Sequence, residues 1–528
     1  MNITKVYLLD TPLEKDYRNT LYFSSKQAQY TYFYSKRVKT YTDFTYQKKD
    51  KYIRVPDEYD NLLNCNYVMY QNTAQTNKWM YAFIDKLEYV SEGVTNVYIK
   101  TDVIQSYLFD YTIQPSFIER EHVSDDTLGK HTLPEGLELG EYTVIADAHD
   151  SYNTTTCMIM GSTVEPVGAT NVPGNVYTGI PSGITYFRFD SMGTKDTTDP
   201  TTLNGAINYL NQQGRIEGVQ SLFIAPTWIA TLQTGTPYIM PSNSPEVRTF
   251  GITRISALDG YTPRNKKLLT FPYCFIELSN NIGQATTYYQ ERWTLSSGEM
   301  KLQMSGSIAP GGSIRCYPLN YNGDDAAYDE GITLGKFPSL SWLTDHYTNW
   351  LTQNALNLGS IKLNAEESRK VGAALGALKG GAEIAVGNYA GGAVSVVAAG
   401  RDILDSMQET YRHQLVPNTA QGNLNSGDVT AAMNINCFHW FKKTIKSEYA
   451  QIIDQYFDMF GYKVNTVKTP NYNHRQNWWY TKTIACNITG AIPNEDLDLI
   501  KTCYNNGITF WKDPTKIYDY TQSNSIVS

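Results

Sequence analysis

Two short clusters hold the residue types that could do chemistry. Asp147-Ala148-His149-Asp150 places carboxylates around an imidazole, the ligand types of a zinc or similar divalent site. Glu119-Arg120-Glu121-His122 places carboxylates beside a histidine, the groups of an acid/base pair. Each also has a plainer reading: a polar strand end for the first, an ion-paired strand edge for the second. The facing carboxylates of a glycoside hydrolase need only meet in space, so spacing does not exclude them. The nucleophile elbow GxSxG, a P-loop, GxGxxG after a strand and HExxH are all absent. No residue is therefore assigned as catalytic, and no metal or cofactor is expected.

Aromatic residues offer a second kind of chemistry. The chain has 41 tyrosines and 9 tryptophans. Such rings stack on sugars or on a partner's surface, and they also fill cores. Trp478-Trp479-Tyr480 fits either use. Charge argues against one class of partner. Over 528 residues the formal net charge is −8, with no basic stripe of the kind that grips phosphate backbones. Only 18 % of residues are charged, against about 25 % in typical domains. The seven cysteines (Cys65, Cys157, Cys274, Cys316, Cys437, Cys486, Cys503) form no CxxC and read as buried, reduced thiols. The first residues, MNITKVYLLDTPLEKDYRN, hold no long apolar stretch, so no secretory signal is expected.

The elements that must position these groups read mostly as strands. Trp79, Tyr81, Phe83, Leu87 and Tyr89 share one face at period two, interrupted only by Asp85. Val97, Ile99, Thr101 and Val103 repeat the pattern. A β-rich middle with many turn signals follows, with one helix near Thr202–Arg215. Strands resume around Phe271–Leu278, Tyr288–Leu295 and Met300–Ile308. A helix is expected after Pro338, carrying Trp342, Leu343, Tyr347, Trp350 and Leu351 on one face, and another over Arg401–Gln414. A further helix spans about Ser447–Phe460, its apolar side formed by Tyr449, Ile452, Ile453, Tyr456, Phe457 and Phe460, with Gly461 as C-cap. Another begins at Asn494, with Leu497, Leu499, Ile500 and Cys503 inward, before a strand at Ile508–Trp511.

The segment Val371–Gly400 differs from everything around it. Eight of its residues are Gly and nine are Ala, and only Lys379 and Glu383 are charged. The last 17 residues, Ile384–Gly400, carry no charge. As a helix they would span about 26 Å at ~1.5 Å per residue, just short of a ~30 Å hydrocarbon core. Gly372, Gly376 and Gly380 are spaced four apart, as are Gly387 and Gly391, a spacing that lets helices approach closely in lipid. A small-residue core helix, a hinge and a membrane-active stretch are all compatible with this composition.

Several runs carry a family resemblance. LEKDYRNTLYF (13–23), YVMYQNTAQTNKWMYAFIDKLEYV (67–90) and KTDVIQSYLFDYTIQPSFIEREHV (100–123) resemble the distal tail tube, or tail knob, protein of short-tailed, protein-primed phages of Gram-positive bacteria. So do KKTIKSEYAQIIDQYFDMFGYKVNTVKTPNYNHRQNWWY (442–480) and NGITFW (506–511), and more weakly FPYCFIEL (271–278). The resemblance implies a homohexameric tube at the tail tip. DNA would pass through its lumen without specific binding. A hydrophobic loop would plug that lumen and then insert into the host cytoplasmic membrane. The implied partners are an upper tail tube or lower collar protein, a tail-tip wall-degrading protein and membrane lipids. The implied location is the virion, at the end of the tail.

The combined expectation is a mainly β (α+β), multidomain chain of β-barrel/sandwich tail-tube architecture, with few helices and a long Gly/Ala-rich loop. Its parts would be a tube-forming region at 1–125, a knob at 126–270, a return to the tube at 271–337, a helix plus plug loop at 338–428, and a C-terminal tube region at 429–528. Within the loop, Val371, Leu375, Leu378, Ile384, Val386, Tyr389, Val394, Val396 and Val397 would insert and occlude, and Gly372, Gly376, Gly380, Gly387 and Gly391 would pack helix on helix. Two rivals stay open: a receptor-binding knob without membrane activity, and a tail-borne glycan hydrolase.

Overall fold

The computed structural model describes residues 4–337 and 437–527 apart from short stretches, chiefly 43–50, 73–77, 152–155, 167–175, 231–245, 295–298 and 471–473. The architecture is mainly β, with five α-helices among the described residues. The chain divides into two compact units. The first comprises Met1–Glu141, Ala257–Tyr273 and Ile445–Ser528; the second comprises Tyr142–Ser256 and Cys274–Thr444.

The first unit holds a six-stranded antiparallel sheet in the order Arg37–Tyr41, Thr4–Leu9, Tyr67–Asn72, Trp79–Ser91, Val94–Thr101, Tyr52–Val55. Period-two alternation buries both of its faces. Tyr7, Leu9, Tyr67, Met69, Tyr81 and Phe83 pack on one side; Val6, Leu8, Val68, Ala82, Ile84, Val97 and Ile99 pack on the other. The long Trp79–Ser91 strand changes phase at Asp85. An irregularity between Ile84 and Lys86 moves Leu87 to the face opposite Tyr81, and Tyr89 ends 63 % exposed. One extra residue in a strand sends every later side chain to the other face. The expected single stripe over 79–89 therefore holds only as far as Phe83.

The next strand also stops earlier than its alternation suggests. It ends at Thr101, and Val103 begins a short helix, Val103–Tyr107. The fully buried Asp102 is the switch: its carboxylate accepts from Gln105 N–H at 3.0 Å, as an N-cap does, and from Tyr67 O–H at 2.7 Å.

The second sheet of this unit has the order Asn19–Leu21, Ile508–Trp511, Trp478–Ala485, Ser116–Glu121, Tyr462–Lys468. Asn19–Leu21 runs parallel to Ile508–Trp511, and the other pairs are antiparallel. Its strands come from the same runs that carry the family resemblance. Ser447–Phe460 is a helix over the expected span, and Gly461 stops it with φ +64°. A side chain there would run into the Glu121 carbonyl. The helix's inner face differs from the expected one. Ala450, Ile453, Asp454 and Phe457 are buried, while Ile452 is 65 % exposed.

The second unit contains three larger sheets. One has the order Tyr142–Ser151, Cys437–Ile445, Cys274–Ser279, Ala285–Tyr288. Another, Thr185–Phe189, Thr156–Ser162, Val219–Pro226, packs Met158, Met160, Phe187 and Phe189 with Leu203, Ala206 and Leu210 of the helix Leu203–Gln212. Thr202 caps that helix by accepting from Gly205 N–H. The third is built from Glu246–Thr253, Glu299–Gly306, Ile314–Tyr321 and Asp324–Ala326, with Ile332–Leu334 also paired to Ile314–Tyr321. The strand expected at Tyr288–Leu295 is instead a short strand, Ala285–Tyr288, followed by a 3-10 turn, Gln290–Arg292.

Candidate functional site

The Glu119–His122 cluster lies on an interior strand, between Trp478–Ala485 and Tyr462–Lys468, and not at a sheet edge. Its charges are spent on structure. Arg120 pairs with Glu135 and donates to the Gly461 carbonyl at 2.7 Å. Glu135 also pairs with Lys267 and accepts from Lys463 N–H at 3.0 Å. The side chains of Arg120, Glu135 and Lys267 are 8, 1 and 2 % exposed. Glu119 pairs with Lys482 at 2.8 Å, and Glu121 pairs with Lys468. Two buried cations thus share one buried carboxylate, an arrangement that offers no uncommitted general base.

His122 is also buried and fully engaged. Tyr480 N–H donates to its Nδ1 at 2.7 Å, and its Nε2 lies 2.9 Å from the Asp458 carbonyl. A ring accepting at Nδ1 and donating from Nε2 is neutral. Burial, reinforced by Arg475, pushes its pKa down to about 3. Because the unfolded ring titrates near 6.5, the folded state binds fewer protons. The stability this gives is complete above pH 6.5 and is lost as pH falls from 6.5 toward 3. By pH 5 the loss is about 2 kcal/mol. Asp102 opposes it, since burial raises its carboxyl to about 6 and protonation relieves that cost between about 6 and 3.8. The expected result is that wild type loses stability relative to His122→Gln between pH 7 and 5. Denaturant midpoints followed by tryptophan fluorescence check it, and parallel pH profiles would refute it.

Asp147 and His149 lie on Tyr142–Ser151, an edge strand. Asp147 meets His439 at 3.5 Å, and the His149 and His439 rings stand 5.8 Å apart. The side chain of Asp150 lies outside the described residues. Among the described residues, no group of three or more His, Cys, Asp or Glu is placed to hold a metal ion.

The aromatic triplet is core. Trp478 and Trp479 are 0 and 1 % exposed and Tyr480 is buried. Trp478 packs on Trp511 at 4.8 Å, Trp479 stacks on Phe510 at 5.2 Å, and the Trp478 indole N–H donates to the Asp458 carbonyl. None of these rings presents a face to a sugar.

A carboxylate that sequence reading missed does more positioning. Asp454, fully buried, accepts from Tyr261 O–H at 2.6 Å, Arg264 N–H at 2.8 Å, and Asn265 N–H and Nδ2 at 3.1 and 2.8 Å. Asp458 adds Asn265 Nδ2 at 2.8 Å and Arg264 at 3.0 Å. Two acids one helical turn apart thus tie Ala257–Tyr273 into the first unit. Local periodicity carries no signal for it, because its donors lie some 190 residues away in Tyr261–Asn265.

The loop residues singled out by composition, Val371 to Val397 with the five glycines, lie outside the described residues, as do both helices expected around them. The chain leading into residues 338–436 is anchored. Phe337 is fully buried, donates its N–H to the Gly312 carbonyl at 2.7 Å and stacks on Phe223. The chain leaving them enters the Cys437–Ile445 strand, which pairs with Cys274–Ser279 from Cys274↔Thr444 to Ser279↔His439. Among the described residues, no helix is long and apolar enough to cross a membrane.

A sheet-rich frame whose buried charges pair with one another is that of a structural protein, and the similar proteins are structural components of phage tails. Residues 2–112 match the caudoviral major tail protein N-terminus. Residues 241–525, more than half of the chain, match the C-terminal domain of the tail knob protein gp9 of Bacillus phage phi29. The chain belongs to this tail knob family and is a virion component at the tail end. It is 28 % identical to the tail knob protein gp9 of Bacillus phage B103, covering 98 % of this chain and 97 % of that one. It is 26 % identical to that of phage phi29, covering 96 and 95 %. The solved structure of the bacteriophage C1 tail knob protein, gp12, shares the fold over the whole of both chains, with a TM-score of 0.63 at 15 % identity.

Proposed function

We propose that this tail knob protein forms a hexameric distal tube through which DNA leaves the virion, and that Val371–Gly400 plugs the lumen and then inserts into the host cytoplasmic membrane. The observation that carries the reading is the Gly/Ala-rich run itself, set within residues 338–436 between an anchored Phe337 and an anchored Cys437–Ile445 strand. Anchored ends let such a segment leave a lumen without unravelling the sheets that hold it. Six copies carry −8 each, and a lumen sharing that sign would repel phosphate, so that the genome slides and does not bind. Within the tube, six apolar loops shield one another from water. The protein acts without catalysis. It docks on an upper tail tube or collar protein above and a wall-degrading protein at the tip.

The test is a charge in the run. Val396→Asp should cut dye leakage from anionic liposomes at least tenfold while six-fold particles still form in negative-stain images. A variant that leaks like wild type removes the membrane role. A variant that no longer assembles makes the segment structural core.

A further inference from the structure

Three Asn-Gly pairs occur in the sequence, at 204–205, 322–323 and 506–507. All three share one intrinsic reaction. A glycine N–H has no side chain beside it to block its approach, so its nitrogen can attack the preceding asparagine Cγ. The fold treats the three pairs differently. Asn204 is 4 % exposed within the helix Leu203–Gln212. Its Nδ2 donates to the Gly193 carbonyl at 3.0 Å, and Gly205 N–H donates to Thr202 Oγ1 at 3.2 Å. Asn506 ends the helix Asn494–Asn506. There Gly507 N–H donates to the Tyr504 carbonyl at 3.2 Å, and the Tyr480 side chain crowds Gly507. In both pairs the attacking N–H is already committed.

Asn322-Gly323 is the two-residue turn between Ile314–Tyr321 and Asp324–Ala326, closed by the pair Tyr321↔Asp324. Its φ values, +55° and +80°, are what so tight a hairpin turn requires. Both residues are exposed, and nothing lies within 4 Å of where a side chain at Gly323 would stand. Asn322 N–H donates to the Arg292 carbonyl at 2.9 Å. The two groups the reaction needs, the Asn322 side-chain amide and Gly323 N–H, make no hydrogen bond among the described residues.

We propose that Asn322 is a site of spontaneous deamidation, the fastest of the three pairs. Gly323 N gives its proton to hydroxide and bonds to Asn322 Cγ. The Cγ–Nδ2 bond breaks, and Nδ2 takes a proton from water and leaves as ammonia, which closes a succinimide ring. One water then opens the ring. Breaking the bond from Gly323 N to Cγ gives aspartate; breaking its bond to the main-chain carbonyl carbon gives isoaspartate. Overall one water is consumed and one ammonia released, with no oxidation. Either product adds a negative charge beside Asp324 and Asp325. Isoaspartate also lengthens the main chain by one carbon in a turn that sets the register, against the pairing of Tyr321 with Asp324 and of Leu319 with Ala326. A subunit built into a virion is not replaced, so the change accumulates with the age of the particle.

The test ages the full chain at 37 °C and pH 8.5. Peptide mass mapping follows the gain of one dalton, and isoaspartyl methyltransferase labelling follows the isoaspartate. Asn322 should convert about tenfold faster than Asn204 or Asn506, roughly the factor that one hydrogen bond is worth. In the urea-unfolded chain the three should convert at similar rates, which assigns the difference to the fold. On ageing, hydrogen exchange in 314–326 should accelerate in wild type and stay unchanged in Asn322→Gln. Conversion at Asn322 no faster than at the other two in the folded chain would overturn the assignment. Conversion without faster exchange in 314–326 would overturn its effect on the hairpin.

Discussion

Glu135→Ala should destabilise the first unit by about 3–5 kcal/mol, because it strands two buried cations. Arg120 and Lys267 have no water to turn to, at 8 and 2 % side-chain exposure, and Lys463 N–H loses its acceptor as well. Rings of Tyr456 and Tyr462 lie 4.8 and 5.3 Å from the two cations, but a ring face offsets only a fraction of a lost carboxylate. The triple variant Glu135→Leu, Arg120→Met, Lys267→Met should recover much of the loss, since a buried ion group can be exchanged for apolar side chains of similar volume. Urea midpoints read by tryptophan fluorescence check both. A Glu135→Ala shift under about 1 kcal/mol would show that solvent reaches the cluster.

Asp454→Ala should be comparably severe, about 3–5 kcal/mol, and its effect should be local. Four donors from Tyr261, Arg264 and Asn265 converge on this carboxylate, and unmet donors in a buried site cost about 1–3 kcal/mol each. Hydrogen exchange should accelerate for Ala257–Tyr273 before any strand of the two sheets is affected. Asp454→Asn keeps one acceptor oxygen and should fall between wild type and Ala. Unchanged exchange in 261–268 would mean that Asp458 and the Glu135–Lys267 pair hold the segment without it.

These two acids also mark where sequence reading reaches its limit. Ser447–Phe460, Asn494–Asn506 and Ile508–Trp511 were legible almost to the residue, because amphipathic spacing and a following glycine specify a helix and its stop. The facing of the first helix was not. Ile452 looked inward and Asp454 did not, yet their places are reversed, because the partner of Asp454 lies some 190 residues away in Tyr261–Asn265. Local periodicity cannot see a polar partner supplied by another segment. The phase change at Asp85 failed for a related reason: a single inserted residue is invisible to a period-two count that tolerates one interruption. Of the two readings of 119–122, the ion-paired edge is right about the pairing but not about the place, because strands from 462 onward flank it inside the sheet. The tail knob resemblance was legible in the runs themselves, of which 13–23, 100–123, 442–480 and 506–511 supply strands of one sheet.

That sheet also imposes an order in time. Asn19–Leu21 pairs with Ile508–Trp511, and Trp511 Nε1 donates to Asn19 Oδ1 at 2.9 Å. At roughly 5–20 residues per second, a ribosome needs about 25–100 s between making one partner and the other. The early strand must wait, while the intervening segments of the second unit emerge and can fold first. A chain cut short at any point before Ile508 lacks the partner for its beginning, so a broken message yields a subunit whose first unit cannot close.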